Sequence, residues 1–301
     1  MNNETTLPRP VRDLISVIVT TYNREDALVA ALRGLARQTD PKFEVIVADD
    51  GSPPSTACAV AAWRPKFERL AHVWHEHKGF RAAEIRNRAI LESLGEICIF
   101  LDGDCIPRPN FVAAHRRLAE PGWFVAGNRV LLSRELTKRI VGAQLEPELW
   151  SFWQWAARRL HGEINRLKPL LSVPLGPMRR FTGGAWKSIR SANLAIRRSD
   201  LAQVDGFDAA FSGWGREDSD IVVRLMRIGV RRKDGRFATA VLHQNAANAC
   251  KVVKEAVAAM PKERTCACAS AARFAVLTQP DAIPPQAKEN LKLLFGKYLG
   301  W

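Results

Sequence analysis

The sequence contains little of what secreted, membrane-spanning or zinc-stabilised proteins need. Its six cysteines are scattered, and the one close pair, Cys266 and Cys268, has no further cysteine or histidine nearby to complete a zinc site. No apolar run reaches the roughly 20 residues that a transmembrane helix needs. The polar, proline-bearing start does not resemble a secretory signal. These absences predict a cytoplasmic protein with reduced thiols.

Acidic residues are also few relative to basic ones. There are 31 Asp and Glu against 45 Lys and Arg, which gives a net charge of +14. Such a charge suits nucleic acid, an anionic lipid surface or a phosphorylated substrate. Because no zinc finger, helix-turn-helix signature or aromatic RNA-binding motif is present, we expect no nucleic-acid partner. A phosphorylated substrate and peripheral contact with the inner face of the cytoplasmic membrane stay open.

The chain alternates between short apolar runs and amphipathic segments. Strands are predicted over 16–23, 43–48, 71–74, 96–101, 123–130, 191–198 and 237–242, and helices over 24–37, 55–63, 82–94 and 110–118 and before Gly229. Asn23 is a candidate cap for the first helix. The β-α-β order implies parallel strands joined by right-handed crossovers. The predicted class is α/β, with a mixed, mostly parallel sheet flanked by helices.

The domain organisation follows from the same pattern. We predict a flexible start over 1–14, one domain over 15–245, and a basic helical tail over 246–301. An insertion over about 134–180 is rich in tryptophan and arginine, and three prolines (Pro169, Pro174 and Pro177) favour loops there over one long helix. Its aromatic side chains could stack on sugars, meet a membrane interface, or simply form a packing cluster.

Three predicted strands end in polar groups. These ends are Thr20-Thr21, Asp49-Asp50 and Asp102-Gly103-Asp104. Each alone is common in turns. Because parallel strands end at the same edge of a sheet, three together predict a ligand-binding crevice. Two carboxylates flanking a glycine suit a divalent cation, and Gly103 lets the backbone turn and a ligand come close.

The segments at 17–23, 47–52, 86–89 and 100–104 resemble the family 2 glycosyltransferases, which bind nucleotide-sugars on a GT-A fold. The resemblance implies that Thr20 and Tyr22 line the nucleotide pocket and that Asp50 contacts uracil or its ribose. It implies that Asp102, Gly103 and Asp104 hold the metal and the sugar-nucleotide, with Asp104 the more direct metal ligand.

Several arginines are candidates for contact with a diphosphate, because guanidinium groups pair well with phosphate oxygens. The candidates are Arg81, before the predicted helix over 82–94, and Arg86 or Arg88 within it. We assign this role to Arg81 and Arg88, although each helical arginine could equally lie on a solvated face.

The segment Trp214-Gly215-Arg216-Glu217-Asp218 resembles the Trp-Gly-x-Glu-Asp motif of metal-dependent inverting transferases, such as galactosyltransferases and chondroitin polymerases. The resemblance implies that Asp218 is the general base and that Glu217 and Trp214 contact sugars. Considered alone, such acidic residues also stabilise a helix N-terminus. His243 follows this motif at about the interval where the resembling enzymes place a metal-binding histidine, so the resemblance implies that His243 is a third metal ligand. Imidazole with carboxylates suits Mn²⁺, with Mg²⁺ the alternative.

The glycine-rich segment over 181–186 and the strand after it resemble the acceptor side of the same family. This resemblance makes Gly184, Trp186 and Asn193 candidate acceptor residues.

The function predicted is inverting transfer of a sugar from a UDP-sugar to a glycan or lipid-linked acceptor, in bacterial surface polysaccharide or lipopolysaccharide core synthesis. The alternatives are a nucleotidyltransferase of the same fold and a catalytically silent scaffold that binds sugar or nucleotide.

Overall fold

A computed structural model describes residues 9–181, 186, 189–211 and 216–244. Its strands are β1 (Val11–Thr21), β2 (Phe43–Asp49), β3 (Leu70–Trp74), β4 (Gly95–Asp102), β5 (Cys105–Pro107), β6 (Trp123–Ala126), β7 (Arg129–Leu131), β8 (Asn193–Arg197), β9 (Arg231–Asp234) and β10 (Val241–His243). Its helices are α1 (Glu25–Ala36), α2 (Pro54–Trp63), α3 (Ala82–Glu92), α4 (Phe111–Leu118), α5 (Arg134–Gly142), α6 (Phe152–Leu160), α7 (Arg198–Gln203) and α8 (Glu217–Arg227).

Seven strands form the main sheet in the order β3-β2-β1-β4-β8-β6-β9. The first four are mutually parallel, β8 runs antiparallel to both β4 and β6, and β9 is parallel to β6. The predicted α/β class with a mixed, mostly parallel sheet is therefore confirmed. The parallel half brings the carboxyl ends of β1, β2 and β4 to one edge.

Apolar side chains cover both faces of this sheet. On β1, Ile18 belongs to one buried cluster while Val17 and Val19 belong to the other, as the alternation of a strand requires. Helices α3 and α8 pack on the first face, and α1 packs on the second. Both faces of β1 and β4 are buried, which explains their nearly continuous apolar runs.

A second sheet of three strands, in the order β5-β10-β7, lies beside the first. The insertion packs on it through a third buried cluster, in which Trp155 and Ile164 meet Leu242 of β10. The insertion is partly helical. α5 and α6 form in its first part, whereas the later part, which contains the three prolines, forms only short 3-10 turns.

Several boundaries differ from the sequence prediction. β1 already begins at Val11, so the predicted flexible start over 1–14 was wrong for its last four residues. Asn23 does not cap α1: Arg24 occupies that position, and the Asn23 backbone amide instead donates to Ser52. The strand predicted over 237–242 shrinks to β10.

The single strand predicted over 123–130 is two strands in two sheets. β6 ends at Ala126 and β7 begins at Arg129, with Gly127 between them. A Cβ on Gly127 would lie 2.3 Å from the side chain of Asn193, so only glycine lets the chain cross this point.

The predicted tail over 246–301, including its helices, lies outside the described residues. None of the helices in the described part of the chain has the length and apolar character that a transmembrane span requires.

Candidate active site

The edge predicted to hold the ligand is assembled by strand register. Thr20 of β1 pairs with Asp102 of β4, and Thr21 pairs with Asp49 of β2. The amide of Gly103 donates to the carbonyl oxygen of Thr20 at 2.7 Å, which fixes the turn after β4 against the end of β1. Backbone pairing therefore brings the three predicted polar strand ends together.

Gly103 has a packing role in addition to the roles predicted for it. Its φ is not positive, so the turn itself does not demand glycine. A Cβ there would lie 3.0 Å from the Thr20 carbonyl oxygen and 3.1 Å from the Thr21 side chain. Glycine lets β1 and the turn pack this closely.

The second sheet brings His243 to the same edge. β10 pairs antiparallel with β5, so that His243 lies opposite Cys105, and the Gln244 amide donates to the Asp104 carbonyl at 2.8 Å. The His243 Nε2 lies 3.5 Å from Asp104 Oδ1. The ligand atoms of Asp104, Cys105 and His243 all lie within 4.8 Å of one another.

This group fits a divalent metal through one carboxylate and one imidazole, the donor types that Mn²⁺ accepts. Cys105 is the least suitable donor, because burial and the two neighbouring carboxylates raise the pKa of its thiol well above the usual range. The third predicted ligand, Asp102, is not part of this group. Its carboxylate faces Arg86 instead, with Arg86 Nη2 to Asp102 Oδ1 at 3.5 Å.

The carboxylates after β2 are both buried and paired with histidines. Asp49 Oδ2 lies 3.0 Å from His72 Nε2, and Asp50 Oδ1 lies 2.6 Å from His75 Nε2. Burial alone would raise the pKa of Asp49, but the hydrogen bonds from His72 and Ser52 more than compensate and lower it. Asp50 also accepts from the Arg81 backbone amide at 2.9 Å, so its carboxylate fixes the start of α3.

Tyr22, predicted to line the nucleotide pocket, stacks on His77. The ring centroids lie 4.6 Å apart with the planes 13° from parallel, and the Tyr22 hydroxyl lies 3.2 Å from His77 Nε2. Tyr22 keeps 40% of its surface exposed. The pair is a flat aromatic surface of the kind on which a nucleobase stacks. A lone histidine between two predicted elements gave no signal for this contact.

Arg86 is the residue that links the two halves of the site. It is 3% exposed. Its Nη1 donates to Glu217 Oε1 at 3.0 Å and its Nε to Thr20 Oγ1 at 3.1 Å, while Nη2 faces Asp102. One guanidinium therefore joins the ends of β1 and β4 to the start of α8.

The predicted base lies at the N-terminus of α8, where Glu217 and Asp218 are each 8% exposed. Burial, followed by repulsion from Glu217, raises the pKa of Asp218 to about 6, against opposing attraction from Arg190 and Arg86. A carboxylate with this pKa is a competent proton acceptor near neutral pH. The Oε2 atom of Glu217 is buried without a hydrogen-bond partner among the described residues, so this carboxylate has an unused acceptor atom.

The sequence assigned the diphosphate role to Arg81 and Arg88, but the structure brings Arg86 to the carboxylates instead. Arg88 is on another face of α3 and pairs with Glu84 at 2.7 Å, and Arg81 Nη1 pairs with the same glutamate at 2.7 Å. Helical spacing could have separated them, because Arg86 lies three and four residues before the buried Ala89 and Ile90.

Two of the four candidate acceptor residues, Asn193 and Trp186, are among the described residues. Asn193 was wrongly assigned to the acceptor, because its amide is buried and holds strands: His115 Nε2 lies 3.0 Å from Oδ1, and Nδ2 donates to Asn128 and Thr239 carbonyls. Burial lowers the pKa of His115 to about 4, so this network is uncharged at neutral pH. Trp186 packs against the first core cluster. Gly184 and Trp214 lie outside the described residues.

Two family profiles match the chain in succession. The profile of glycosyl transferase family 2 matches residues 16–178, which is more than half of the chain. The profile described as the N-terminal domain of galactosyltransferase matches residues 183–244. Together they span the edge residues, α8 and His243.

Individual relatives agree with these profiles. The chain is 31% identical to validoxylamine A glucosyltransferase of Streptomyces hygroscopicus over 228 residues, which cover 72% of this chain and 49% of that enzyme. It therefore spans about half the length of that relative. A short stretch of similarity, 61% identical over 61 residues, connects it to S-methyl-5'-thioadenosine phosphorylase of Koribacter versatilis. That match covers only 20% of this chain and 21% of the phosphorylase, too little to bear on activity.

Solved structures show the same fold at low identity. The mannosyltransferase PcManGT of Pyrobaculum calidifontis, solved with GDP-Man and Mn²⁺, matches with a TM-score of 0.54 and 19% identity, over 96% of this chain and 70% of its own. S. aureus TarS, solved with UDP-GlcNAc, matches with a TM-score of 0.56 and 17% identity, over 77% of this chain and 58% of its own. The predicted GT-A fold is confirmed.

Proposed function

The chain belongs to glycosyltransferase family 2, and from that premise we propose that it transfers a sugar from a UDP-sugar to a hydroxyl of a glycan or lipid-linked acceptor, with inversion. The observation that carries the proposal is the position of Arg86. It joins Asp102, at the metal-binding edge, to Glu217, beside the candidate base. A donor at the edge and an acceptor at α8 would therefore meet within the span of one guanidinium.

In this reaction the acceptor oxygen forms a bond to the anomeric carbon while the bond from that carbon to the UDP oxygen breaks. Asp218 accepts the proton of the attacking hydroxyl, which leaves no need for a nucleophile on the protein. Glu217 orients the hydroxyl through its unpartnered Oε2. One base and one displacement give a product with the opposite anomeric configuration.

Asp104 and His243 would hold Mn²⁺ or Mg²⁺, with Asp102 oriented toward the sugar-nucleotide by Arg86. When bound, such an ion neutralises the diphosphate and stabilises the leaving UDP. PcManGT was solved with Mn²⁺. The uracil base would stack on Tyr22 and His77, and Thr20, which is two residues before Tyr22, pairs in register with Asp102.

UDP is the proposed nucleotide because TarS, which has the same fold, was solved with UDP-GlcNAc. PcManGT was solved with GDP-Man, so guanine is the alternative that must be tested. For the acceptor, the basic and aromatic insertion supports a lipid-linked or phosphorylated glycan of the kind that builds bacterial surface polysaccharide or lipopolysaccharide core.

The experiment measures nucleotide release from a panel of UDP-hexoses and UDP-N-acetylhexosamines with Mn²⁺, with GDP-mannose included, and the anomeric configuration of the released or transferred sugar by proton NMR. We expect UDP release that needs Mn²⁺, and an inverted sugar. Glu76→Gln should release UDP as the wild type does, since that carboxylate is 71% exposed and its ion pair among the described residues is with Lys78.

Two results would contradict the proposal. Retained configuration would exclude a single displacement by one base. Binding of UDP and Mn²⁺ without release from any donor would favour the scaffold alternative.

A further inference from the structure

We propose that the outward side of α6 docks the protein on an anionic lipid bilayer. This side is a stripe formed by Trp153, Ala157 and Leu160, spaced by four and three residues, and we call it the outer stripe. Trp153 is 78% exposed and Leu160 is 88% exposed. Two large apolar side chains on the same side of a helix form an exposed apolar strip, and such strips occur where a helix meets a partner or a membrane.

The helix has a separate inner side, so the outer stripe is not a core face left open. Trp155 is 1% exposed and packs with Trp150 at a centroid distance of 5.0 Å. A complete capping box between Ser151 and Gln154 fixes the start of the helix. α6 is therefore anchored on one side and apolar on the other, which is the form of a helix that lies in a lipid interface.

The insertion that contains the outer stripe also carries unpaired positive charge. Five of its exposed cations have no ion-pair partner in the described part of the chain: Arg134, Lys138, Arg159, Arg166 and Lys168. Three of its four acidic residues are already paired with arginines: Glu146 with Arg37, Glu148 with Arg33, and Glu163 with Arg139. The insertion therefore presents a net excess of free positive charge.

This positive charge favours an anionic bilayer over the other candidate partners of the outer stripe, a second copy of the chain or another protein. A second copy of the chain carries the same net charge of +14 and would be repelled. A protein partner would need about 800 Å² on each side for a stable interface, which a stripe of three side chains does not supply. An anionic bilayer offers both a negative surface for the cations and an interfacial layer for tryptophan.

Docking here would hold the candidate active site near the membrane. The inner side of α6 packs in the cluster that contains Leu242, the neighbour of His243. One helix, about 10 Å across, would then separate the bilayer from the sheet that carries the candidate metal ligand. This inference does not depend on the identity of the sugar donor.

The test is flotation of the full chain with vesicles of phosphatidylcholine, with and without phosphatidylglycerol. We expect binding only to the anionic vesicles, weakened by added salt. Trp153→Ser with Leu160→Ser should lower the partition coefficient about tenfold or more. The matched control is Met178→Ser with Phe181→Ser, which removes equally exposed apolar side chains (70% and 84%) outside α6 and should change binding less than twofold.

Charge is tested separately by Arg159→Gln with Lys168→Gln. Each lost cation should lower binding to anionic vesicles about fivefold and flatten the salt dependence. As a second measurement, brominated lipid should quench tryptophan fluorescence of the wild type more than that of Trp153→Phe.

The proposal is overturned if the wild type floats with neither vesicle, if both double serine variants bind equally, or if brominated lipid quenches the wild type and Trp153→Phe alike. It is also overturned if the wild type sediments as a dimer that Trp153→Ser with Leu160→Ser dissociates, since that would identify a second copy as the occupant. Unchanged thermal unfolding of each variant shows that the fold is intact.

Discussion

Asp104 and His243 are brought together by strand pairing, whereas the first turn of α8, which carries Asp218, is tied to the sheet edge by side-chain contacts. The first pair depends on the register of β5 and β10, which backbone hydrogen bonds fix. The second depends on α8, whose first turn is tied to the sheet edge through Arg86. We call the Asp104–His243 pair the metal end of the site and the first turn of α8, with Glu217 and Asp218, the base end. The metal end therefore follows from backbone geometry, whereas the base end is an electrostatic compromise.

The cost of that compromise is visible in Asp218. Two neighbouring carboxylates, Glu217 and Asp218, are buried side by side with only partial compensation from Arg86 and Arg190. Such an arrangement lowers stability, and it is expected where a proton acceptor has to work. The predictions below separate the two ends, from the largest expected effect to the smallest.

Asp218→Asn should lower the rate of sugar transfer by about 10²- to 10⁴-fold, because an amide cannot accept the proton of the acceptor hydroxyl. UDP binding in the presence of Mn²⁺ should change less than about twofold, since the metal end is intact. Steady-state kinetics measures the loss of transfer, and calorimetric titration measures UDP binding. Equal loss of both would mean that the ends are not separate.

The same substitution should raise the free energy of unfolding by up to about 3 kcal/mol at pH 8. The folded pKa of about 6 lies above the ordinary value of 3.8. As the pH rises between these values, the unfolded chain ionises first, so the native state of the wild type loses stability. The gain in Asp218→Asn should therefore grow from pH 4 to pH 6 and stay constant above it. Urea unfolding across this range is the measurement, and a gain independent of pH would contradict the assigned cause.

Arg86→Lys should lower transfer about 10- to 100-fold, because one ammonium group cannot contact Thr20, Asp102 and Glu217 together as the planar guanidinium does. Arg88→Lys is the matched control on the same helix and should change transfer less than about twofold, since Arg88 is an exposed partner of Glu84. The ratio of the transfer rates of the two variants, measured under saturating UDP-sugar, checks this prediction. The reverse ranking would restore the sequence-based assignment of the diphosphate contact to Arg88.

The pH profile of kcat/KM should fall about tenfold per unit below pH 6, as Asp218 becomes protonated and can no longer accept a proton. Above pH 6 the profile should be flat until another group titrates. Profiles at fixed Mn²⁺, with metal binding measured at each pH, distinguish the base from the metal ligands. Constant activity from pH 7 to pH 5 would exclude Asp218 as the base.

The sequence predicted the convergence of the strand ends better than the side-chain contacts around them. Apolar runs that stop at Thr20, Asp49 and Asp102 identify parallel strands, and parallel strands end at one edge. Contacts between side chains distant in sequence leave no such periodicity. The pairing of Asp50 with His75, the stacking of Tyr22 on His77 and the burial of Asn193 among strand ends therefore appeared only in three dimensions.

The short strands were the weakest part of the fold prediction. β5 and β9 have three and four residues, and β9 consists entirely of charged residues, Arg231 to Asp234, so neither shows an apolar alternation. The break at Gly127, which sends β7 to the second sheet, reads in sequence as one uninterrupted strand. Yet β5 pairs with β10 to place His243, so this unpredicted strand completes the metal end.

The most direct test of the two-ended site is calorimetric titration of UDP into the wild type, Asp104→Asn and Asp218→Asn, each with Mn²⁺ and with chelator. We expect Mn²⁺ to strengthen UDP binding about tenfold or more in the wild type and in Asp218→Asn, and to have no effect in Asp104→Asn. The two-ended site would be contradicted if Mn²⁺ did not change UDP affinity in the wild type. It would also be contradicted if Asp218→Asn weakened UDP binding as much as Asp104→Asn does.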